Sequence, residues 1–400
     1  MKKPFLLLAL VFASLLTACA PSPTPTPTPL PTATPEPTGP ILALVGGLLI
    51  DGTGSDPVAD ATVVIQGGRV IAAGPRSQVS IPSDAKVVDV AGAAILPGFI
   101  NAHIHDGYDA DNLTAWAREG VTTVRDLGGP TDFARRDALN ADLRHARLVA
   151  AGPLVTVPGG YPGVPWGSTW GLAVTSPEDA RRKVNKLLDD GADVVKIALE
   201  AGASFNQNIP SLSPAEAKAI VETAHARGVW VSAHVLVVSD LKRTLDAGAD
   251  DIAHMVLDGL TEDLARQVAE KGTYWVPTLE LWHATSPLNG TRAINNLRRF
   301  VQAGGIVALG TDYDGYSSPF QLGMPIKEME WMLQAGMTPM QVIVAGTRNA
   351  AIVCGLGDEI GTLQAGKAAD VLVVDGNPLE DIHALARVRM VLHGGEVVRE

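Results

Sequence analysis

Cysteine is nearly absent from this chain of 400 residues, occurring only as Cys19 and Cys354. So sparse a supply excludes a disulfide framework and a Cys₄-type zinc site in the mature domain. Basic side chains are in deficit too, with 31 Lys and Arg against 43 Asp and Glu. The formal net charge of −12 leaves no basic surplus to meet phosphates, which argues against a nucleic-acid partner. The apolar run at residues 5–16 is too short to span a bilayer, which takes roughly 20 residues. Gly and Pro are plentiful, at 41 and 28 residues, as expected of many tight loops between short elements.

At the amino end, Lys2 and Lys3 precede the apolar run, which closes in Leu16-Thr17-Ala18-Cys19. That sequence resembles the lipobox of bacterial lipoproteins. The resemblance implies a signal peptide over residues 1–18, cleavage before Cys19, and lipid on its thiol. A diacylated cysteine supplies the more than one acyl chain that a stable anchor requires. An ordinary secretory signal with an incidental cysteine is the alternative. Residues 19–40 repeat Pro and Thr, a composition suited to an extended tether and not to a core. The expected location is the cell envelope, on the outer side of the bacterial cytoplasmic membrane.

From residue 41 to about 93, short apolar strands alternate with turn signals such as Asp51-Gly52 and Gly67-Gly68. The same texture returns near the carboxyl end at residues 371–375, 388–392 and 396–399. A small β-sandwich built from both ends, 41–93 with 357–400, is the expected arrangement. Between them, eight strand-like runs alternate with helical patterns. The runs are 94–105, 121–127, 148–152, 194–199, 229–235, 251–255, 274–279 and 306–312. Helices are expected over 177–190, 214–227, 239–247, 261–271 and 291–303, several with Ser-Pro starts and Gly stops. Regular β-then-α alternation implies a parallel sheet, and eight repeats favour closure. The fold class is therefore α/β, a (β/α)₈ TIM barrel over residues 94–356 with the small β-sandwich. A doubly wound sheet loses because no Gly-rich phosphate fingerprint follows the first strand.

Five of these runs carry ligand-type residues near their carboxyl ends: His103 and His105, Lys196, His234, His254 and Asp312. In a (β/α)₈ barrel such ends converge on one mouth, where active sites lie. The two His of His103-Ile104-His105 share a face because strand side chains repeat every two residues. Imidazoles side by side suit a borderline cation such as Zn²⁺. Each residue alone has an ordinary structural reading, a core histidine or a helix cap. Their joint placement at one mouth points to a metal centre.

Lys196 needs separate treatment, because an ammonium beside metal ions is repelled and costly to bury unpaired. A neutral lysine reacting with CO₂ becomes an anionic carbamate whose two oxygens can bridge two metals. The cofactors expected are thus two divalent ions, zinc by ligand chemistry, bridged by carboxylated Lys196. The competing reading is an unmodified lysine that orients substrate or pairs with Glu200.

Residues 95–105, Ile-Leu-Pro-Gly-Phe-Ile-Asn-Ala-His-Ile-His, resemble the first-strand signature of the amidohydrolase superfamily. Residues 361–371, Gly-Thr-Leu-Gln-Ala-Gly-Lys-Ala-Ala-Asp-Val, resemble its return into the small β domain. The Val-Val-Lys-Ile context of Lys196 resembles the binuclear branch, imidazolonepropionase-like and including Xaa-Pro and Xaa-Arg dipeptidases. By that resemblance His103, His105, Lys196 and Asp312 hold the more buried metal, and Lys196, His234 and His254 the more exposed one. Two places depart from the pattern. His234-Val235-Leu236-Val237 lacks the Tyr that often follows the fifth-strand His, and Gly159-Gly160-Tyr161 replaces Gly-Gly-His. Both departures fall where substrate would be read.

The expected reaction is hydrolysis of a C–N bond by a metal-bridged hydroxide, with Asp312 as general base and then general acid. The substrate class is a small molecule of dipeptide or N-acyl amino acid type. Cyclic amide hydrolysis, deamination, and lactone or phosphotriester hydrolysis on the same site are the alternatives, and a non-enzymatic binding lipoprotein is the outlier. Substrate-reading candidates are Tyr161 and Trp170, with Trp166, after the third run, His283 with Trp282 after the seventh, and Tyr313 with Asp314 and Tyr316 after the eighth. Oligomeric state stays open, a homo-oligomer being compatible with the sequence.

Overall fold

Gly98 divides the first long apolar run in two. A β-carbon there would meet Thr122 Oγ1 at 2.2 Å, so only glycine lets the chain pass this point. Before it lies β5 (Ala93–Pro97), part of the small sheet; after it, β6 (Phe99–Ile104) enters the barrel. The structure, a computed structural model, describes residues 38–163, 171–315, 320 and 322–400. Cys19, the signal and most of the tether, and the candidates Trp166, Trp170 and Tyr316, lie outside the described residues. Among the described residues no helix is long and apolar enough to cross a membrane.

The small sheet takes strands from both ends of the chain. Its members are β1 (Ile41–Leu49), β2 (Val58–Gln66), β3 (Arg69–Pro75), β4 (Lys86–Asp89), β5, β16 (Val371–Asp375), β17 (Val388–His393) and β18 (Glu396–Arg399). They run in the order β18-β17-β16-β5-β1-β2-β3, with β4 beside β1. Period-two alternation assigns each face. On β5 and β16, Ile95, Val371 and Val373 join Leu44, Val63, Ile65 and Leu392 in the sandwich core. Their alternates Ala94, Leu96, Leu372 and Val374 belong to the large core of the barrel. One sheet thus buries both faces where it meets the barrel.

The barrel strands are β6, β7 (Val121–Asp126), β8 (Arg147–Ala150) with β9 (Leu154–Thr156), β11 (Val195–Ala198), β12 (Val231–His234), β13 (Asp251–Ala253), β14 (Tyr274–Val276) and β15 (Ile306–Val307). β10 (Gly171–Ala173) pairs parallel with β9 outside this count. All the barrel pairings are parallel, and neighbouring strands follow chain order. Closure comes from the eighth run bonding to the first: Ala102 N–H donates to Leu309 O at 2.8 Å, and Asp312 N–H to His103 O at 2.8 Å. The third run is two strands, interrupted before Leu154 at Pro153, which has no N–H for a ladder. The eighth is regular strand only over Ile306–Val307, and the chain leaves the extended region at Asp312, with φ +66°. The helix expected from residue 291 begins at Pro287 instead. Ser286 caps it by accepting from Asn289 N–H, a Ser-Pro start like those at 176 and 213.

Candidate metal centre

His103 and His105 leave β6 on its inward face, with Ile104 between them held by its parallel bridge to Tyr313. Asn101, two residues deeper, accepts from Thr311 N–H at 3.1 Å and donates to Thr311 Oγ1 at 2.9 Å, pinning the first strand to the eighth. This brings Asp312 to the two histidines. Its Oδ1 lies 3.0 Å from His103 Nε2 and 3.2 Å from His105 Nε2. Each of the three offers one ligand atom within 4.8 Å of the others, a grouping that could hold a metal ion.

The remaining candidates gather around this trio. His254 closes on His103 and on His234, with ring centroids 4.8 Å apart in both pairs. In the sheet register Lys196 pairs with Ser232, and Ala198 with His234. Lys196 therefore starts two residues deeper than His234, and its longer side chain offsets the depth. It is 2% exposed and its Nζ has no hydrogen-bond partner. Glu200, the partner weighed from the sequence, instead accepts from Gly202 N–H and Ser204 Oγ.

Unsatisfied polar atoms are concentrated here. His103 Nδ1 and Nε2, Lys196 Nζ, His234 Nε2 and Asp312 Oδ1 are buried without a hydrogen-bond partner; the His103–Asp312 approach is close but misaligned. Such groups cost free energy unless something satisfies them. His254 differs, since its Nδ1 meets Thr278 Oγ1 at 3.0 Å, which leaves Nε2 as the nitrogen free to face a ligand. Backbone strain collects at the same mouth. The non-glycine residues Asp106, His254, Thr278 and Asp312 all have positive φ, between 49° and 72°.

Electrostatics suit cations. Burial, reinforced by Lys196, lowers His103 to about 3, and burial drives His234 and His254 well below the usual imidazole range. Burial thus favours the neutral rings that metal ligation needs. Burial lowers Lys196 to about 7, within reach of the neutral amine. Burial alone would raise Asp312, but His103 and His254 outweigh it and hold the carboxylate ionised. For His105 burial is outweighed by Asp312, and its pKa is raised. The donor set, four imidazoles, a carboxylate and a buried lysine, fits a divalent metal centre.

The substrate-reading candidates divide. Tyr161 stacks on His234, with centroids 4.0 Å apart, and Trp282 stands 6.2 Å from His254. His283 is occupied otherwise, stacked on Trp331 at 3.8 Å with its Nδ1 on Leu279 O. The Tyr313 ring is buried edge-to-face against Trp116 at 5.1 Å. His283 thus packs onto the helix Ile326–Gln334, which carries Trp331, and Tyr313 onto the helix Ala110–Arg118, which carries Trp116. Sequence reading missed Thr278, which holds His254 from the neighbouring strand, and Asn101, which ties β6 to Thr311 beside Asp312. Only the strand-end position of Thr278, and the place of Asn101 two residues before His103, could have marked them.

Known proteins share this architecture. The chain is 26% identical over 432 residues to an ochratoxinase of Aspergillus niger, covering 90% of this chain and 87% of that protein. It is 29% identical over 358 residues to an imidazolonepropionase of Symbiobacterium thermophilum, covering 77% and 82%. Among solved structures, a Xaa-Pro dipeptidase with bound methionine in the active site superposes with a TM-score of 0.77 at 26% identity, over 89% of this chain and 99% of that one. The amidohydrolase family profile matches residues 94–398, from β5 of the small sheet through the barrel and into the last sandwich strand. The chain is a hydrolase of the amidohydrolase family, a TIM barrel with a β-sandwich domain, acting on amide- or peptide-like bonds.

Proposed function

We propose that the protein hydrolyses the C–N bond of a dipeptide or N-acyl amino acid at a centre holding two divalent ions, zinc by the softness of its ligands. The observation that carries this is the convergence of orphaned ligand atoms from His103, Lys196, His234 and Asp312 beside His254 and His105. His103, His105 and Asp312 would hold one ion, and His234 and His254 the other. Carboxylated Lys196 would lie between them. Its Nζ lone pair would attack the carbon of CO₂, one C–O π pair would move to oxygen, and one proton would pass from the nitrogen to solvent water, leaving the carbamate anion. Bound divalent ions supply Lewis-acid charge that acidifies water and polarises a carbonyl oxygen.

The protein's own groups do the rest. Asp312 Oδ1 has no hydrogen-bond partner, so the carboxylate is free to take a proton from the attacking water and return it to the leaving nitrogen. Thr278 fixes the His254 tautomer through Nδ1. Tyr161, lying flat on His234, walls the approach to the scissile bond. Export and lipid attachment at Cys19 would place this chemistry in the cell envelope.

Metal analysis of purified protein should find close to two divalent ions per chain; one or none would sink the binuclear reading. A panel of dipeptides and N-acyl amino acids, run beside cyclic amides, lactones and phosphotriesters, should give turnover concentrated in the first two groups. Turnover confined to lactones or phosphotriesters would replace the amide assignment.

A further inference from the structure

Asp126 ends β7, is 1% exposed, and belongs to none of the groups assigned above. Its two oxygens are both committed to backbone. Oδ2 accepts from Gly107 N–H at 2.9 Å, and Oδ1 accepts from Gly128 N–H at 3.0 Å. Gly107 lies two residues after His105, in the turn that leaves the first strand. Gly128 lies in the turn that leaves the second. One carboxylate thus ties the turn that follows His105 to the turn on which the His105 ring rests. Between His105 and Gly107 the chain passes through Asp106 at φ +58°, an unfavourable conformation for a non-glycine residue that persists only when its surroundings fix it.

Gly128 completes the arrangement. A β-carbon there would stand 2.7 Å from His105 Cε1 and 2.8 Å from Nδ1, and the three nearest heavy atoms all belong to the His105 ring. The ring rests on bare backbone. His105 needs such support more than the other histidines, since its side chain is 36% exposed while that of His103 is 1%.

We infer that Asp126 is a positioning residue. Through the Gly107 and Gly128 amides it holds the His105 imidazole at the distance from Asp312 that the ion shared by His103, His105 and Asp312 requires. The inference rests on the metal reading above. Outer-shell partners of metal ligands typically change affinity by about 10- to 100-fold when removed, and that is the range expected here.

The test uses the full chain loaded with Co²⁺. Wild type, Asp126→Asn, Gly128→Ala, His105→Ala and the double variant Asp126→Asn/His105→Ala are compared by Co²⁺ titration, visible absorption and thermal unfolding. Asp126→Asn and Gly128→Ala should each weaken one of two bound ions about 10- to 100-fold and shift the Co²⁺ bands alike. Adding Asp126→Asn to His105→Ala should weaken that ion no further, because the carboxylate acts through this ring. Wild-type affinity and spectrum in both single variants would overturn the inference, as would losses that add in the double variant. Should Asp126→Asn not fold, Gly128→Ala decides alone, since its added methyl meets the His105 ring first. A wild type that binds no Co²⁺ sinks the metal reading and the inference together, whereas two ions bound equally by all variants sink only the inference.

Discussion

At Lys196 an ammonium would sit 2% exposed, without a hydrogen-bond partner, among rings and a carboxylate drawn from four other strands. Arg125 disfavours that charge and Asp251 and Asp312 favour it, but burial outweighs them all. On the proposed reading, a neutral amine in this place would be a nucleophile for CO₂ and, once carboxylated, a bridging ligand. Lys196→Ala should then lose turnover and at least one of two bound metal ions, and added acetate or propionate should restore part of both. Turnover unchanged from wild type would remove the carbamate. The φ values of +72° at His254 and +66° at Asp312 make a related point. Each costs on the order of 1–3 kcal/mol, a strain tolerated where ligand direction matters.

The helix Leu279–Thr285, which follows β14, shows how one element is held at the mouth. Thr278 opens it without a side-chain cap and spends its hydroxyl on His254. Glu328 caps it from another helix, accepting from Leu279 N–H at 2.9 Å and Glu280 N–H at 2.7 Å. Burial raises Glu280 to about 7, with Lys327 opposing, and burial raises Glu328 to about 8 against its two backbone donors. In the unfolded chain both carboxyls titrate near 4.5. The native state therefore binds more protons between about 4.5 and 8, and stability falls as pH rises through that window. For Glu280 the loss is on the order of 3 kcal/mol. Glu280→Gln should gain thermal stability over wild type at pH 8 and little at pH 5. A gap that does not change with pH would remove this account.

For the molecule as a whole, the barrel interior is braced by an ion pair. Arg125 and Asp251 are buried, joined at 2.8 Å and 3.1 Å. Arg125 also donates to Ala102 O and Val353 O, and Asp251 accepts from Trp230 Nε1 and Ser232 Oγ. The pair links the first, second, fifth and sixth strands with the last barrel helix. Breaking such a pair from one side typically costs about 3–5 kcal/mol, because a charge is left buried alone. Asp251→Ala should show that loss in denaturant unfolding, and Arg125→Met/Asp251→Leu should recover much of it. A double variant no more stable than the single one would count against desolvation as the cause.

The sequence by itself determined the period of each element and the chemistry of each strand end. Alternating apolar runs and Ser-Pro starts gave the eight strands and most helices, because burial and capping are local patterns. His103, His105, Lys196, His234, His254 and Asp312 were legible because a parallel barrel sends every strand end to one mouth. The family profile over 94–398 agrees with that architecture. Tertiary structure alone decided which groups are paired. It put Glu200 on Gly202 and Ser204, turned His283 onto Trp331 and Tyr313 onto Trp116, and brought Thr278 to His254. It also committed Asp126 to two turns and Arg125 to Asp251, 126 residues apart. These contacts join residues distant in sequence, and neither periodicity nor propensity carries information about which side chain lies opposite which until the barrel has closed.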